Sequence, residues 1–324
     1  MKAAIYKKYG PPSVLTIETV EKPLIKNNEV LIKVYAATVN RSDCAMLRAK
    51  PFIMRFMTGL FKPKNPILGT DFAGKIEAIG KDVTTLKVGD NVFGFNDKGV
   101  SSHAQYMKFT EGKAITTMPE HITYEQAAAS LEGAHYAYNI IKAVKLKSKQ
   151  KVLVNGATGA IGSAAVQLLK NLGVHVTAVC NTKNIELMKS IGAHATIDYT
   201  KEDFTKSTEK YCFVLDAVGK STFAKCKPIL EEGGIYISSE LGPGGQNLIL
   251  PLITSFSSKK LKFPLPMNCL RSILFIKKLI EEGKFKAVID RKYPMEEIAE
   301  AYTYVLKGEK TGNVVIMMQE NSAN

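Results

Sequence analysis

Three glycines at three-residue spacing, Gly156, Gly159 and Gly162, are the residues whose pattern most directly implies chemistry. A β-branched run, Lys151–Asn155, comes before them. An apolar pattern of helical period (Ala165, Val166, Leu168, Leu169, Leu172) comes after. Strand, glycine turn and helix, in that order, open a dinucleotide-binding βαβ unit. Glycine lets the backbone turn tightly and approach a pyrophosphate. The helix N-terminus beyond it offers free N–H groups and a positive dipole end. Gly156, Ala157, Thr158, Gly159, Ala160 and Ile161 are therefore the expected phosphate cradle. A nucleoside triphosphate loop would need Gly-Lys-Ser/Thr, and Gly162-Ser163 has no lysine.

The end of the next strand selects the dinucleotide. An NAD site wants Asp or Glu there to accept hydrogen bonds from the ribose 2′-OH. This chain reads Val179-Cys180-Asn181-Thr182-Lys183-Asn184, with no acid until Glu186. An amide, a hydroxyl and a lysine suit a 2′-phosphate instead. The expected cofactor is NADP(H), held by Asn181, Thr182 and Lys183, with Tyr199 at the end of the following strand along the adenosine. Tyr138 and Lys142 have the Tyr-x-x-x-Lys spacing of short-chain reductases. They lie before the glycine turn, where that motif does not belong, and read as one face of an amphipathic helix.

Elements that could position these residues follow in order. Residues 1–115 read as short strands separated by turns: Ala3–Tyr6, Val14–Val20, Val30–Ala37, Lys75–Ile79, a turn and strand over Val88–Gly94, and Ser102–Phe109. Ser42 or Asp43 could cap a short helix after the third. Residues 51–66 mix apolar and basic side chains between prolines, either a loop whose aromatics tuck into the core or a lid over a substrate. From Tyr124 helical periods appear. Strands at 151–155, 174–180, 195–199, 213–217 and 234–239 then alternate with helices, and 261–265 is a candidate sixth strand. The expected fold is α/β: a barrel-like, GroES-like β domain over 1–124 and 267–324, and a doubly wound parallel-sheet Rossmann domain over 125–266.

Composition narrows the class. Basic residues number 44 against 30 acidic, a net charge of +14 over 324 residues. They are scattered, the longest clusters being pairs such as Lys7-Lys8. This reads as a solvated basic surface with no nucleic-acid partner. Five cysteines (Cys44, Cys180, Cys212, Cys226, Cys269) fit neither a disulfide framework nor C-x-x-C zinc spacing. With a chain that begins directly in a strand, they lead us to expect a cytoplasmic protein. The apolar runs are too short to span a bilayer.

Asn40-Arg-Ser-Asp43, Gly69-Thr-Asp-Phe-Ala-Gly74, Val88-Gly-Asp-Asn-Val-Phe-Gly94 and Ala104-Gln-Tyr106, followed by the glycine turn, resemble the medium-chain dehydrogenase/reductase superfamily over nearly the whole chain. Zinc alcohol dehydrogenases of that superfamily carry Cys where Asn40 stands, Gly-His-Glu where Gly69-Thr70-Asp71 stands, and a further ligand near Leu131–Gly133. Here none of these positions holds Cys or His, and the structural-zinc cysteine lobe is missing. The resemblance is thus to the zinc-free quinone oxidoreductases, which use NADPH, and no metal site is expected.

The resemblance implies hydride transfer from NADPH to the β-carbon of a quinone, enone or enal. The oxygen that gains charge then needs donors and a proton. It places Asn40 beside the nicotinamide as an amide donor, Ser42 as a proton-relay hydroxyl and Asp43 as an orienting carboxylate. An equally open reading is that Asn40 and Asp43 cap the following helix. Other readings of the chain are alcohol dehydrogenation, reduction of an enoyl thioester, or a non-catalytic NADPH-binding protein. A homodimer is expected through the edge strand near Leu261–Leu265.

Overall fold

Two compact units form, and the computed structural model describes residues 1–319 of the chain. The first takes 1–132, 269–282 and 286–319. The second takes 133–268 and 283–285. The division falls after Glu132 rather than after Tyr124, because helix α3 (Tyr124–Ala129) packs on strands of the first unit.

The first unit contains β1 (Lys2–Ile5), β2 (Thr16–Thr19), β3 (Glu29–Val39), β4 (Asp71–Ile79), β5 (Asn91–Phe95), β6 (Tyr106–Thr110) and β7 (Ile115–Thr117), and β3 and β6 alternate buried with less buried residues. In chain order, the helices before α3 are α1 (Arg41–Arg48) and α2 (Met54–Thr58). The second unit contributes β8 (Lys151–Asn155), β9 (His175–Cys180), β10 (Ala195–Asp198), β11 (Tyr211–Asp216), β12 (Leu230–Ser238) and β13 (Lys260–Lys262). Its helices are α4 (Glu132–Lys142, whose first residue belongs to the first unit), α5 (Ala160–Asn171), α6 (Ile185–Ile191), α7 (Phe223–Cys226) and α8 (Gln246–Thr254). Helix α9 (Cys269–Glu281), β14 (Ile289–Pro294), α10 (Ile298–Lys307) and β15 (Asn313–Met317) return to the first unit.

The first unit is a mixed sheet in the order β14-β15-β3-β4-β5-β7, with β6 also on β3. Only the β14–β15 pairing is parallel. Ile32, Val34, Phe72 and Ile76 of the sheet pack with Leu47 of α1 and Tyr302 of α10 in one core. Strand β3 is the spine of this unit, hydrogen-bonded to β4, β6 and β15. Where β3 ends, α1 begins, and that junction carries Asn40.

The second unit is an all-parallel sheet in the order β10-β9-β8-β11-β12-β13. Its central strands are buried on both faces and read as continuous apolar runs, as parallel strands must. Strand β8 lies mid-sheet and β9 and β11 flank it on opposite sides. Its C-terminal end is therefore the point where strand order reverses, the crevice that binds ligands in such sheets. β13 is a short edge strand at Lys260–Lys262 rather than 261–265.

Residues 51–66 do not tuck their aromatics inward. Phe52 is 65% exposed, Phe56 68% and Phe61 88%. Only Met54 reaches the core, on the short helix α2.

Candidate active site and cofactor cradle

At the end of β3, Thr38 continues the register that pairs Ala36 with Ala73, and so meets Asp71 on β4. The Thr38 N–H donates to Asp71 Oδ1 at 2.8 Å and its hydroxyl donates to Oδ2 at 2.6 Å. Asn40 Nδ2 adds bonds to Thr38 Oγ1 at 2.6 Å and to Asp71 Oδ2 at 3.2 Å. Both protons of the Asn40 amide thus serve the protein, and the donor role expected of Asn40 is not what this arrangement presents. Asn40 is instead the N-cap of α1. Its N–H donates to Asp43 Oδ2 at 2.8 Å, closing a capping box. Ser42 and Asp43 lie inside the first turn, so neither is the cap expected from the sequence.

Glu132 joins the site from the other side. Ser42 Oγ donates to its Oε1 at 2.6 Å and Thr70 Oγ1 to its Oε2 at 2.5 Å. Thr70 can face inward because Gly69 before it takes φ +106, and a Cβ there would lie 2.1 Å from Ser102 Oγ. Asp43, Asp71 and Glu132 are all buried. Burial dominates their acidity. It pushes Asp71 up to about 7 against the pull of its Thr38 and Asn40 donors. Burial, then the Glu132 charge, raises Asp43 well above the usual carboxylate range. Burial also raises Glu132, against the bonds from Ser42 and Thr70. Among the described residues, Asp43 Oδ1 has no hydrogen-bond partner. Burial likewise brings the Lys310 ammonium down to about 8, although Glu132 and Asp290 act to keep it charged.

His103 closes the back of this site. Its Nε2 lies 2.9 Å from the Thr38 carbonyl, which can only accept, so Nε2 carries the proton. The Tyr302 hydroxyl then donates to Nδ1 at 3.2 Å. The ring is fully buried and neutral, its pKa lowered to about 4 by burial. It is a core histidine. His135, also buried, lies beside Asn139 in the second unit. Tyr6, Met46, Met54, Met57, Lys64 and Leu68 line a cavity of about 300 Å³ in the first unit. Its wall is largely apolar, and the exposed α2 segment forms part of it.

In the second unit the glycine turn divides its labour. Gly156 takes φ +72. A Cβ on Gly162 would meet the Gly156 carbonyl oxygen at 2.1 Å and Ala157 Cα at 2.7 Å, so this glycine serves helix–turn packing. A Cβ on Gly159 would meet nothing nearer than 3.7 Å. The space above Gly159 is open, and it faces the first turn of α5, whose N–H groups have no helical acceptor. That is a cradle fitted to a pyrophosphate. Two of the expected contacts have their N–H groups engaged within the protein: Ala157, fully buried, donates to Val179 O, and Gly159 donates to Gly156 O. Asp216, at the end of β11, steadies the neighbouring loop: it accepts from Asn155 Nδ2, the N–H groups of Gly219 and Ser221, and Tyr236 OH.

After β9, Lys183 is exposed in a single 3-10 turn, Thr182–Asn184. One acid stands beside this turn that a scan along the chain misses. Parallel pairing sets Asp198 opposite Cys180. Its carboxylate accepts from Thr182 Oγ1 at 2.5 Å and from the Thr200 hydroxyl at 2.7 Å, with Lys201 Nζ 3.8 Å away. These hydroxyl bonds hold Asp198 below its ordinary pKa. Tyr199 follows it, 56% exposed, with its N–H on Cys180 O.

Comparison with known proteins agrees with both units. Residues 26–147 match the alcohol dehydrogenase GroES-like domain, and 191–316 match a family described as zinc-binding dehydrogenase. The 2-methylene-furan-3-one reductase of Solanum lycopersicum is 31% identical over 98% of this chain and 79% of its own length. The NADPH-dependent alkenal/one oxidoreductase of Arabidopsis thaliana is 30% identical with the same coverage. The structure of a quinone oxidoreductase from Coxiella burnetii superposes with a TM-score of 0.87 at 25% identity, over 98% of this chain and 99% of that one. The chain belongs to the medium-chain dehydrogenase/reductase superfamily, in its zinc-free, quinone-oxidoreductase-like branch. It is an oxidoreductase. The zinc in one family's description does not extend to these residues. Asn40, Thr70 and Glu132 stand where that superfamily's zinc enzymes carry ligands, and they offer an amide, a hydroxyl and a carboxylate that already holds two hydroxyls.

Proposed function

We propose that this protein reduces quinones or α,β-unsaturated carbonyls with NADPH, without a metal. The observation that carries this reading is the open space above Gly159 at the N-terminus of α5, together with a first unit in which the Ser42 and Thr70 hydroxyls meet the Glu132 carboxyl. Bound in the second unit, NADPH supplies a hydride. Every other task falls to the chain. Gly156, Thr158, Ala160 and Ile161 hold the pyrophosphate through backbone N–H groups, and Gly159 leaves the space it occupies. Asn181, Thr182 and Lys183 receive the 2′-phosphate, with Tyr199 along the adenosine. Lys201 offsets the Asp198 charge beside that loop. The first unit is the substrate domain, and its cavity behind α2 suits an apolar acceptor.

Conjugated acceptors fit better than simple alcohols. Asn40 and Thr70 offer an amide and a hydroxyl, which are not the ligands that would hold a zinc ion to lower the pKa of an alcohol. An enone needs only that the charge reaching its oxygen be met by a donor and a proton. Ser42 is the hydroxyl for that task. Asn40 and Asp43 act by positioning: they cap α1 and so fix where Ser42 stands.

A homodimer is part of this reading. Helix α8 exposes Leu248, Ile249, Leu252 and Ile253, each more than half exposed, and the next turn exposes Phe256 almost completely. This face adjoins β13, the edge of the parallel sheet. Among the described residues no helix is long and apolar enough to cross a membrane. The cysteines form no disulfide among the described residues, which suits a reducing compartment, and we place the protein in the cytoplasm.

The test is consumption of NADPH with a simple quinone and with a simple enone, each in the presence of a chelator. Turnover should persist, and NADPH should raise the melting temperature more than NADH does. Loss of turnover on chelation would refute the metal-free chemistry, and an equal response to both cofactors would refute the choice of NADPH.

A further inference from the structure

We infer that Glu132 is the proton reservoir of this reaction and that Ser42 is its outlet. This rests on the functional reading above and names the proton source that it leaves open. The geometry is a short chain of hydrogen bonds, Ser42 Oγ to Glu132 Oε1 at 2.6 Å and Thr70 Oγ1 to Oε2 at 2.5 Å. The two hydroxyls are not equivalent. Thr70 is fully buried, so it anchors Oε2, whereas Ser42 is partly exposed and can face an acceptor. With both hydroxyls donating, Glu132 is in its ionised arrangement. When Oε1 carries a proton, Ser42 must accept it and its own proton turns outward.

The other two buried acids lack this connection. Asp71 is hydrogen-bonded only through Thr38 and Asn40, both buried. Asp43 accepts the Asn40 N–H through Oδ2, and its Oδ1 has no partner among the described residues. What they supply is field. Asp43, Asp71 and Asp97 are the negative groups near Glu132, and Lys310 is the positive one. Burial and Asp97 favour the protonated carboxyl, while Lys310 opposes them. Lys310 is itself under the influence of Asp290, Cys44 and Arg41.

The step balances as follows. Hydride addition at the β-carbon moves the C=C electron pair toward the carbonyl and leaves an enolate. The enolate takes the Ser42 hydroxyl proton as Ser42 Oγ takes the proton of Glu132 Oε1. The products are the saturated ketone, an intact serine and a Glu132 carboxylate, which water then reprotonates. No further oxidant or reductant is required.

Glu132→Gln keeps one acceptor and one donor for the two hydroxyls but has no proton to release. With an enone, kcat should fall at least about tenfold, within the usual range for loss of a general acid. KM and the NADPH-induced rise in melting temperature should change little. The wild-type loss of kcat with rising pH should disappear, and Glu132→Asp should restore part of the rate. Ser42→Ala should show the same loss, and the double variant should be no worse than either single one, because both lie on one path. Wild-type kcat and an unchanged pH profile in E132Q would overturn the inference, as would full additivity in the double variant. Should E132Q fail to fold, S42A decides alone, and wild-type kcat in it overturns the inference. A wild-type protein that binds NADPH yet reduces neither enone nor quinone would refute the functional reading itself, and this inference with it.

Discussion

Asp71 shows how strongly a single buried group can couple folding to pH. Burial lifts its carboxyl to about 7, far above the usual value of 3.8. Between about pH 4 and 7 the folded state keeps a proton that the unfolded chain has released. This contribution to stability is present below the unfolded pKa and is lost as pH rises through the folded one. Asp71→Asn should therefore gain stability relative to wild type across that window, by at most about 4 kcal/mol. Urea denaturation at pH 5 and pH 7.5 would measure it, and a difference that does not change with pH would contradict it. Lys183→Glu acts in the other unit. Its charge reversal beside Asp198 should weaken NADPH binding at least about tenfold, roughly the worth of one lost charge-assisted contact, and leave NADH nearly unaffected. Fluorescence titration with both cofactors decides this; equal weakening would remove Lys183 from the 2′-phosphate site. Neither the pKa of Asp71 nor the charge beside Lys183 can be read along the chain. Thr38 and Asp71 are neighbours only through the β3–β4 register, and Asp198 reaches the Thr182 turn only through the β9–β10 register.

At the scale of elements, the turn between β8 and α5 makes two opposite demands on glycine. Gly162→Ala would drive a methyl into backbone atoms that cannot move aside, at a cost of about 1–3 kcal/mol. Gly159→Ala meets no protein atom within 3.7 Å and should change stability by no more than about 1 kcal/mol at this helix cap. Its methyl would instead fill the phosphate cradle, so NADPH affinity should fall at least about tenfold while the melting temperature of the apo-protein holds. Calorimetry on both variants separates the two roles. A destabilised G159A with normal NADPH affinity would reverse the assignment. The strand–turn–helix pattern announced this element in full, because glycine spacing and apolar period are local properties. The junction of β3 and α1 was less legible. In the sequence Asn40, Ser42 and Asp43 are all open as the cap, and Asn40 holds that place, because Asp43 at the third helical position reaches back to the Asn40 N–H.

For the whole molecule, the +14 charge gives solubility rather than a fold, and the apolar face of α8 is the feature that asks for a partner. Leu252→Glu combined with Ile253→Glu should convert a dimer to a monomer in sedimentation, because two charges would have to be buried unpaired in the interface. A dimer that survives both changes would place the interface elsewhere. The sequence by itself determined the two kinds of domain, the glycine cradle and the absence of Cys and His ligands at positions 40 and 70. Each of these depends on residue types at short spacing. The tertiary structure decided what replaces those ligands. Glu132 is 62 residues from Thr70 and 90 from Ser42 in the chain, yet hydrogen-bonds both. The structure also turned the Asn40 amide onto Thr38 and Asp71 and put Asp198 beside Thr182. Each of these outcomes comes from strand register and burial, which set the distance and the dielectric between groups that no local pattern connects.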